Sequence, residues 1–242
     1  MDTGPRRFAR GALHSSPGFL RAFTGRHSLT LLGLAMFVGA LAFVLTINDF
    51  LAISRPVDGN ILVVEGWIWN SPAIIEAAEE FNRGRYERLV TVGSTVQGNE
   101  ETPDRESSAV LAARRLRELG VDEPLIVVLL VPSMSLHRTY ASALALKDWF
   151  AMSKTEPRGV NVFTLGAHAR KSLVLFKRAL GPTINVGVIA GTEDTFDPKR
   201  WWMSPTGVYV IARKTLGYLY AVLWPLPENL SVSANSPKKR GG

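Results

Sequence analysis

Hydrophobic positions along this chain fall into two regimes. Residues 28–47, SLTLLGLAMFVGALAFVLTI, run without a single charge. At about 1.5 Å per residue they extend about 30 Å, the thickness of a bilayer's hydrocarbon core, and predict a membrane-spanning helix. Beyond Pro56 the pattern changes to short runs that are apolar on both faces, separated by helical periodicities. ILVVE (61–65), RLVTVG (88–93), LIVVLLV (125–131), VNVFTL (160–165) and INVGVIA (184–190) predict five strands. The intervening segments 71–85, 106–119, 136–152 and 167–180 predict helices, two of which stop at Gly120 and at Gly181-Pro182. Strands apolar on both faces that alternate with helices imply an α/β domain over 56–225. The expected architecture is a Rossmann-like, doubly wound, mainly parallel sheet of about five strands, with the very hydrophobic run 125–131 at its centre.

A second apolar stretch, 207–224, carries Arg213 and Lys214 in its middle. Each would cost about 2.5–3.5 kcal/mol at a bilayer centre, and Ser204-Pro205 reads as a helix start. This stretch is therefore expected to be an amphipathic helix of the α/β domain. The polar tail 226–242 is expected to be disordered.

Charge adds an orientation. The 242 residues carry a net charge of +7, but residues 1–27 hold five Arg against one Asp, and the tail holds three basic residues against one Glu. The body is nearly neutral and lacks the footprint that a phosphate backbone requires, so nucleic acid is not an expected partner. Arg6, Arg7, Arg10, Arg21 and Arg26 precede the apolar run. By the positive-inside rule, residues 1–27 form a basic cytoplasmic arm and everything after Asn48 lies outside, in the periplasm or its equivalent. A cleaved signal peptide would have a shorter apolar region, followed by a small-x-small site; here Ala40 and Ala42 sit inside the run. The expectation is a single-pass anchor in a bacterial plasma membrane, with membrane lipid as the partner of 28–47. The absence of cysteine excludes disulfides, thiol nucleophiles and Cys-ligated metals. His14, His27, His137 and His168 leave little for a histidine-rich metal site, and no cofactor follows from the residues.

In a parallel sheet, ligands bind beyond the C-terminal ends of the strands, which selects the residues to weigh. The first strand ends in Glu65-Gly66-Trp67, a carboxylate that must be solvated, paired or bound. The second ends in Gly93-Ser94, where backbone can approach a ligand, and Glu106 opens the next helix, where its charge also suits the helix dipole. After the third strand, Ser135, Arg138 and Thr139 bring hydroxyls and a cation to a helix start, as an anion site would. After the fourth, His168 and Arg170 fall on the first turn of the following helix. No G-x-S-x-G, G-x-G-x-x-G, P-loop or H-E-x-x-H motif is present. A Ser–His–acid triad of Ser94 or Ser135, His168 and Glu106 has only spacing in its favour.

Taken together, these strand ends resemble the ElyC/SanA/YdcF domain family of bacterial envelope proteins over roughly residues 60–190. The resemblance rests on Gly93-Ser94, on Glu106 opening a helix that closes at Gly120-Val121, on Ser135, Arg138, Thr139 and Ala143, and on Thr164, His168 and Arg170-Lys171. Glu65-Gly66-Trp67 departs from the family's glycine-rich first turn. The resemblance implies a role in envelope integrity, peptidoglycan or lipid-carrier metabolism. With Glu65, Glu106, Arg138, His168 and Arg170 converging on one sheet edge near the anchor, the expectation is an envelope enzyme acting on a phosphorylated or sugar-linked lipid-carrier intermediate at the outer face of the membrane. A soluble relative is associated with S-adenosylmethionine, which the missing first-turn glycines do not favour here. On this reading Arg138 and Arg170 hold an anion, His168 or Glu106 is the general acid or base, and Glu65 binds a cation or a sugar hydroxyl. Glu65, Gly66, Gly93, Ser94, Ser135, Arg138, Thr139 and Arg170 form the expected ligand set, and Glu106 and His168 the catalytic pair. The alternative is a non-catalytic binding or scaffold module for envelope or exopolysaccharide assembly. Its motive is the weak catalytic signature together with Trp67, Trp69, Trp201 and Trp202, which could stack on sugars or rest at a membrane interface.

Overall fold

A computed structural model describes residues 26–94, 106–132, 137–223 and 225. Ser135 and the tail 226–242 lie outside the described residues, as does most of the arm 1–27. The chain divides into two compact units, Met1–Phe43 and Val44–Gly242.

In the first unit the described residues belong to helix α1 (Arg26–Leu51), which continues into the second. Its stretch Ser28–Leu51 has a mean hydropathy of 2.4 and is long and apolar enough to cross a membrane. Leu29, Leu31, Met36 and Phe37 are exposed along it. Leu and Ala recur along it and proline is absent, which favours the helix despite Gly33 and Gly39.

The second unit is an α/β fold. Strands β1 (Ile61–Glu65), β2 (Arg88–Ser94), β3 (Ile126–Val131), β4 (Val160–Leu165) and β5 (Val186–Gly191) form one parallel sheet in the order β3-β2-β1-β4-β5. Helices α2 (Ala73–Asn82) and α3 (Ser108–Glu118) cover the face carrying Leu62, Val64 and Leu89. Helices α4 (Arg138–Ser153) and α5 (Ala169–Leu180) cover the opposite face, carrying Val63, Val90 and Val162. The double winding follows from the crossovers. The chain steps outward from β1 to β3, then returns across the other face to lay β4 beside β1. This corrects the expected place of the run 125–131. β3 is an edge strand, with Val128 and Leu130 exposed. Hydrophobicity reports how greasy a strand is, whereas its rank in the sheet is set by the direction of the crossovers.

Helix α6 (Pro205–Leu223) completes the unit by packing on α5. The unit begins at Val44, well before Pro56. Ile47 and Leu51, from the last turns of α1, are buried with Ala167, Phe196, Trp201 and Ile211. The connecting segment then runs antiparallel along β5, where Arg55 and Val188 exchange backbone bonds of 2.8 and 3.1 Å. Buried Asn161 closes it by accepting from Val57 N–H and donating to Val57 C=O, both at 2.8 Å.

Candidate functional site

The strand order reverses between β1 and β4, and beyond their C-terminal ends opens a cavity of about 690 Å³. Glu65 ends β1 with only 3% of its surface exposed. A buried carboxylate needs donors, and three converge on its Oε2. These are the Thr164 hydroxyl from β4, the Ser172 hydroxyl from α5 at 2.9 Å and the Trp67 indole N–H at 3.5 Å. Glu65 thus ties the two strands of the switch point to α5.

His168 stands next to this carboxylate, its Nε2 3.7 Å from Glu65 Oε2 and 3.4 Å from Thr139 Oγ1. Its Nδ1 lies 3.0 Å from Lys214 Nζ. Burial, followed by the charges of Lys214, Lys171, Arg213 and Arg138, holds the imidazole well below its ordinary value. It is therefore neutral at pH 7, and its approach to Glu65 is not an ion pair. With Lys214 as donor to Nδ1, the ring proton sits on Nε2 and faces Thr139 and Glu65. Trp67 completes the packing, with its ring edge-on to His168 at 5.3 Å and under the Lys214 ammonium at 4.5 Å.

Lys214 comes from α6. Burial, then Arg213 and Lys171, lower it to about 7, against the opposing pull of Glu65 and Glu193. Lys171 is lowered for the same leading reason, burial, with Glu65 opposing and Arg138 and Arg213 adding to the shift. Arg138, Lys171, Arg213 and Lys214 all line the cavity, where Glu65 is the carboxylate among the described lining residues. Like charges held together depress one another's protonation, and an entering anion relieves that cost. Val92, Val131, Leu175, Leu216 and Ala221 supply an apolar part of the wall. His137 also lines the cavity, from a left-handed backbone (φ 63°) at the start of α4, with its Nε2 3.5 Å from Tyr220 Oη. A residue with a Cβ is uncommon in that conformation, and such positions concentrate at binding sites.

The sequence-derived candidates divide accordingly. Glu65, Gly93, Ser94, Arg138, Thr139 and His168 meet at the cavity. Gly66 does not line it. A Cβ there would lie 2.7 Å from the Ser108 carbonyl, so this glycine permits the close contact of β1 with the start of α3. Glu106 is turned away as the ion-pair partner of Arg114. Arg170 is also elsewhere, bonded to the Phe50 carbonyl at the end of α1 with its guanidinium 3.8 Å over the Phe50 ring. A helix's first turn points side chains in several directions, and it is the next residue, Lys171, that faces inward. Trp201 is buried, and its indole donates to the Val44 carbonyl at 3.0 Å, so the Trp201–Trp202 pair is not a stacking platform. Lys171, Arg213, Lys214 and His137 were not selected by the strand-end rule. The usable signal was the Arg213-Lys214 pair inside an otherwise apolar helix, since a charge in such a place needs a partner or a ligand.

Among the described residues, no group of three or more His, Asp or Glu side chains is placed to hold a metal ion. The chain matches no family model, no curated protein and no solved structure.

Proposed function

We propose that this protein is a membrane-anchored protein of the bacterial cell envelope, of the ElyC/SanA/YdcF type. In this reading it is held in the plasma membrane by α1, with its N-terminus in the cytoplasm. Its α/β unit then lies outside, where it binds and acts on a phosphorylated or sugar-linked lipid-carrier intermediate. The observation that carries the reading is the cavity itself. Four cationic side chains gather at the topological switch point beside one buried carboxylate, and apolar walls rise next to them. Such a lining suits an amphiphile with an anionic head and a hydrocarbon chain. Arg138, Lys171 and Arg213 supply charge and hydrogen bonds to the head group. The neutral imidazole of His168 can accept a proton at physiological pH. Lys214, at about 7, can give or take one, and the two are in contact, as acid–base chemistry requires. Glu65 fixes the geometry through Thr164 and Ser172.

The test is direct binding to the full chain in nanodiscs, followed through tryptophan fluorescence. The ligands are a short-chain polyprenyl phosphate, inorganic phosphate and a nucleotide sugar. The polyprenyl phosphate is expected to bind more tightly than inorganic phosphate. Lys171→Ala and Lys214→Ala should each weaken it about tenfold, which corresponds to about 1.4 kcal/mol. Equal affinity for all three anions, or affinity unchanged in both variants, would overturn this assignment.

A further inference from the structure

We propose that α6 lies in the lipid–water interface of the membrane that holds the chain, with its outward face in lipid and the mouth of the cationic cavity at that surface. The inference rests on membrane anchoring by α1 and is independent of what the cavity binds.

Seven large apolar side chains of α6 are exposed: Val208, Tyr209, Leu216, Leu219, Tyr220, Val222 and Leu223, from 38% at Val222 to 76% at Leu223. At 3.6 residues per turn they fall within an arc of about 160°. The other residues in that arc are Pro205, Ala212 and Thr215, so it contains no charge. The opposite face is accounted for by burial of Gly207, Ile211 and Ala221 and by Lys214 in the cavity. A long, charge-free apolar stripe facing outward is rare on a water-exposed helix. Spanning the bilayer is ruled out by Arg213 and Lys214 at mid-helix, which leaves the interface as the membrane position such a helix can hold.

Three further observations point to lipid. Arg213 stands at the edge of the arc, its guanidinium 5.7 Å from the Tyr209 ring. A cation at the rim of an apolar face can reach head groups while its stem stays in lipid. The turn preceding α6 exposes Trp202 and Met203, and an amphipathic indole suits that same depth. The neighbouring Trp201 donates to the Val44 carbonyl, so the turn before α6 is bonded to the C-terminal part of the helix that carries the apolar span. Leu216 belongs both to the exposed arc and to the cavity wall. A lipid-bound molecule could therefore pass from the bilayer into the cavity beside it without crossing water.

The chain lacks cysteine, so single cysteines report single positions. Spin labels at Val208→Cys, Leu216→Cys and Leu219→Cys would be read in the full chain in phosphatidylcholine–phosphatidylglycerol vesicles. Phe37→Cys in α1 and Glu118→Cys on α3 serve as references. The expected result is that the α6 labels, like Phe37, gain collisions with oxygen and lose collisions with a water-soluble nickel chelate relative to Glu118. Chelate collisions on α6 equal to those at Glu118 would overturn the inference. So would loss of both kinds of collision, which would mark a protein contact such as a second copy. Lipid contact at Phe37 with an aqueous α6 rejects this inference alone, whereas an aqueous Phe37 rejects the anchor as well.

Discussion

Burial and the neighbouring cations bring Lys214 to about 7 in the folded chain, while an unfolded lysine holds its proton to about 10.4. Between those values the unfolded state binds more protons than the native one, so stability rises with pH through that window. Below about 7 both states are protonated and this slope disappears. His168, lowered below its ordinary value, adds a rise in stability between its folded value and about 6.5. Without ligand, the melting temperature is therefore expected to climb from about pH 7 to pH 9, and Lys214→Met should flatten that climb. A bound anion reverses the bias by favouring protonated Lys214, so affinity should fall as pH rises through about 7. Calorimetry near pH 8, in buffers of different ionisation enthalpy, should show proton uptake on binding by the native chain and none by the variant. At this scale the sequence was partly legible. Glu65 and His168 stand at strand ends, where the switch-point rule looks. Lys214 lies on a helix remote from any strand end, and nothing local indicates that its side chain turns inward.

Among the elements, β1 and β2 meet the start of α3 in a close junction. A Cβ at Gly66 would meet the Ser108 carbonyl and the Ala109 N–H at 2.7–2.8 Å, and one at Gly93 would meet the Ser108 hydroxyl at 2.2 Å. Ser107 caps α3 by accepting from Ala109 N–H and donates in turn to the Gly93 carbonyl. The two glycines thus let the helix start sit directly on the strand ends, a packing role at Gly66 where sequence reasoning expected ligand contact. Gly66→Ala is expected to cost about 1–3 kcal/mol through overpacking against backbone. That loss should appear in urea titrations as a lower midpoint at unchanged m-value. The alternation of strands and helices was readable throughout, because two-sided apolar runs and helical periods are local signals. The edge position of β3 was not, because strand order is decided by crossovers that leave no mark in the run itself. The direction of Arg170 was likewise hidden, since its partner at the end of α1 is remote in sequence, whereas Glu106 pairs with Arg114 of the helix it precedes.

For the whole molecule, the boundary between the units falls inside α1. The helix is one element, but its last turns belong to the α/β core through Ile47 and Leu51. A chain beginning at Val44 is therefore expected to unfold as cooperatively as the α/β unit of the full chain. One beginning at Ile53 gives up two buried aliphatic side chains and the Val44 partner of Trp201, with an expected loss of about 3–6 kcal/mol. Equilibrium denaturation of the two shortened chains checks this, and equal midpoints would contradict it. A reading of periodicity alone ended the apolar span at Ile47 and opened the domain at Pro56, because a helix that is lipid-like at one end and core-like at the other shows no change of pattern at the border.

The segment that joins α1 to β1 has a mechanical consequence. It runs antiparallel to β5, with Arg55 bonded to Val188, the Ser54 hydroxyl accepting from Ala190 N–H and Val57 clamped by Asn161. A pull from the α1 side acts along this strip, so its fastenings bear the load together, as in a lap joint, rather than opening one after another like a zipper. The strip lies along β5, an edge strand that supplies none of the described residues lining the cavity. Load taken up by these fastenings therefore falls on the edge of the sheet away from the pocket.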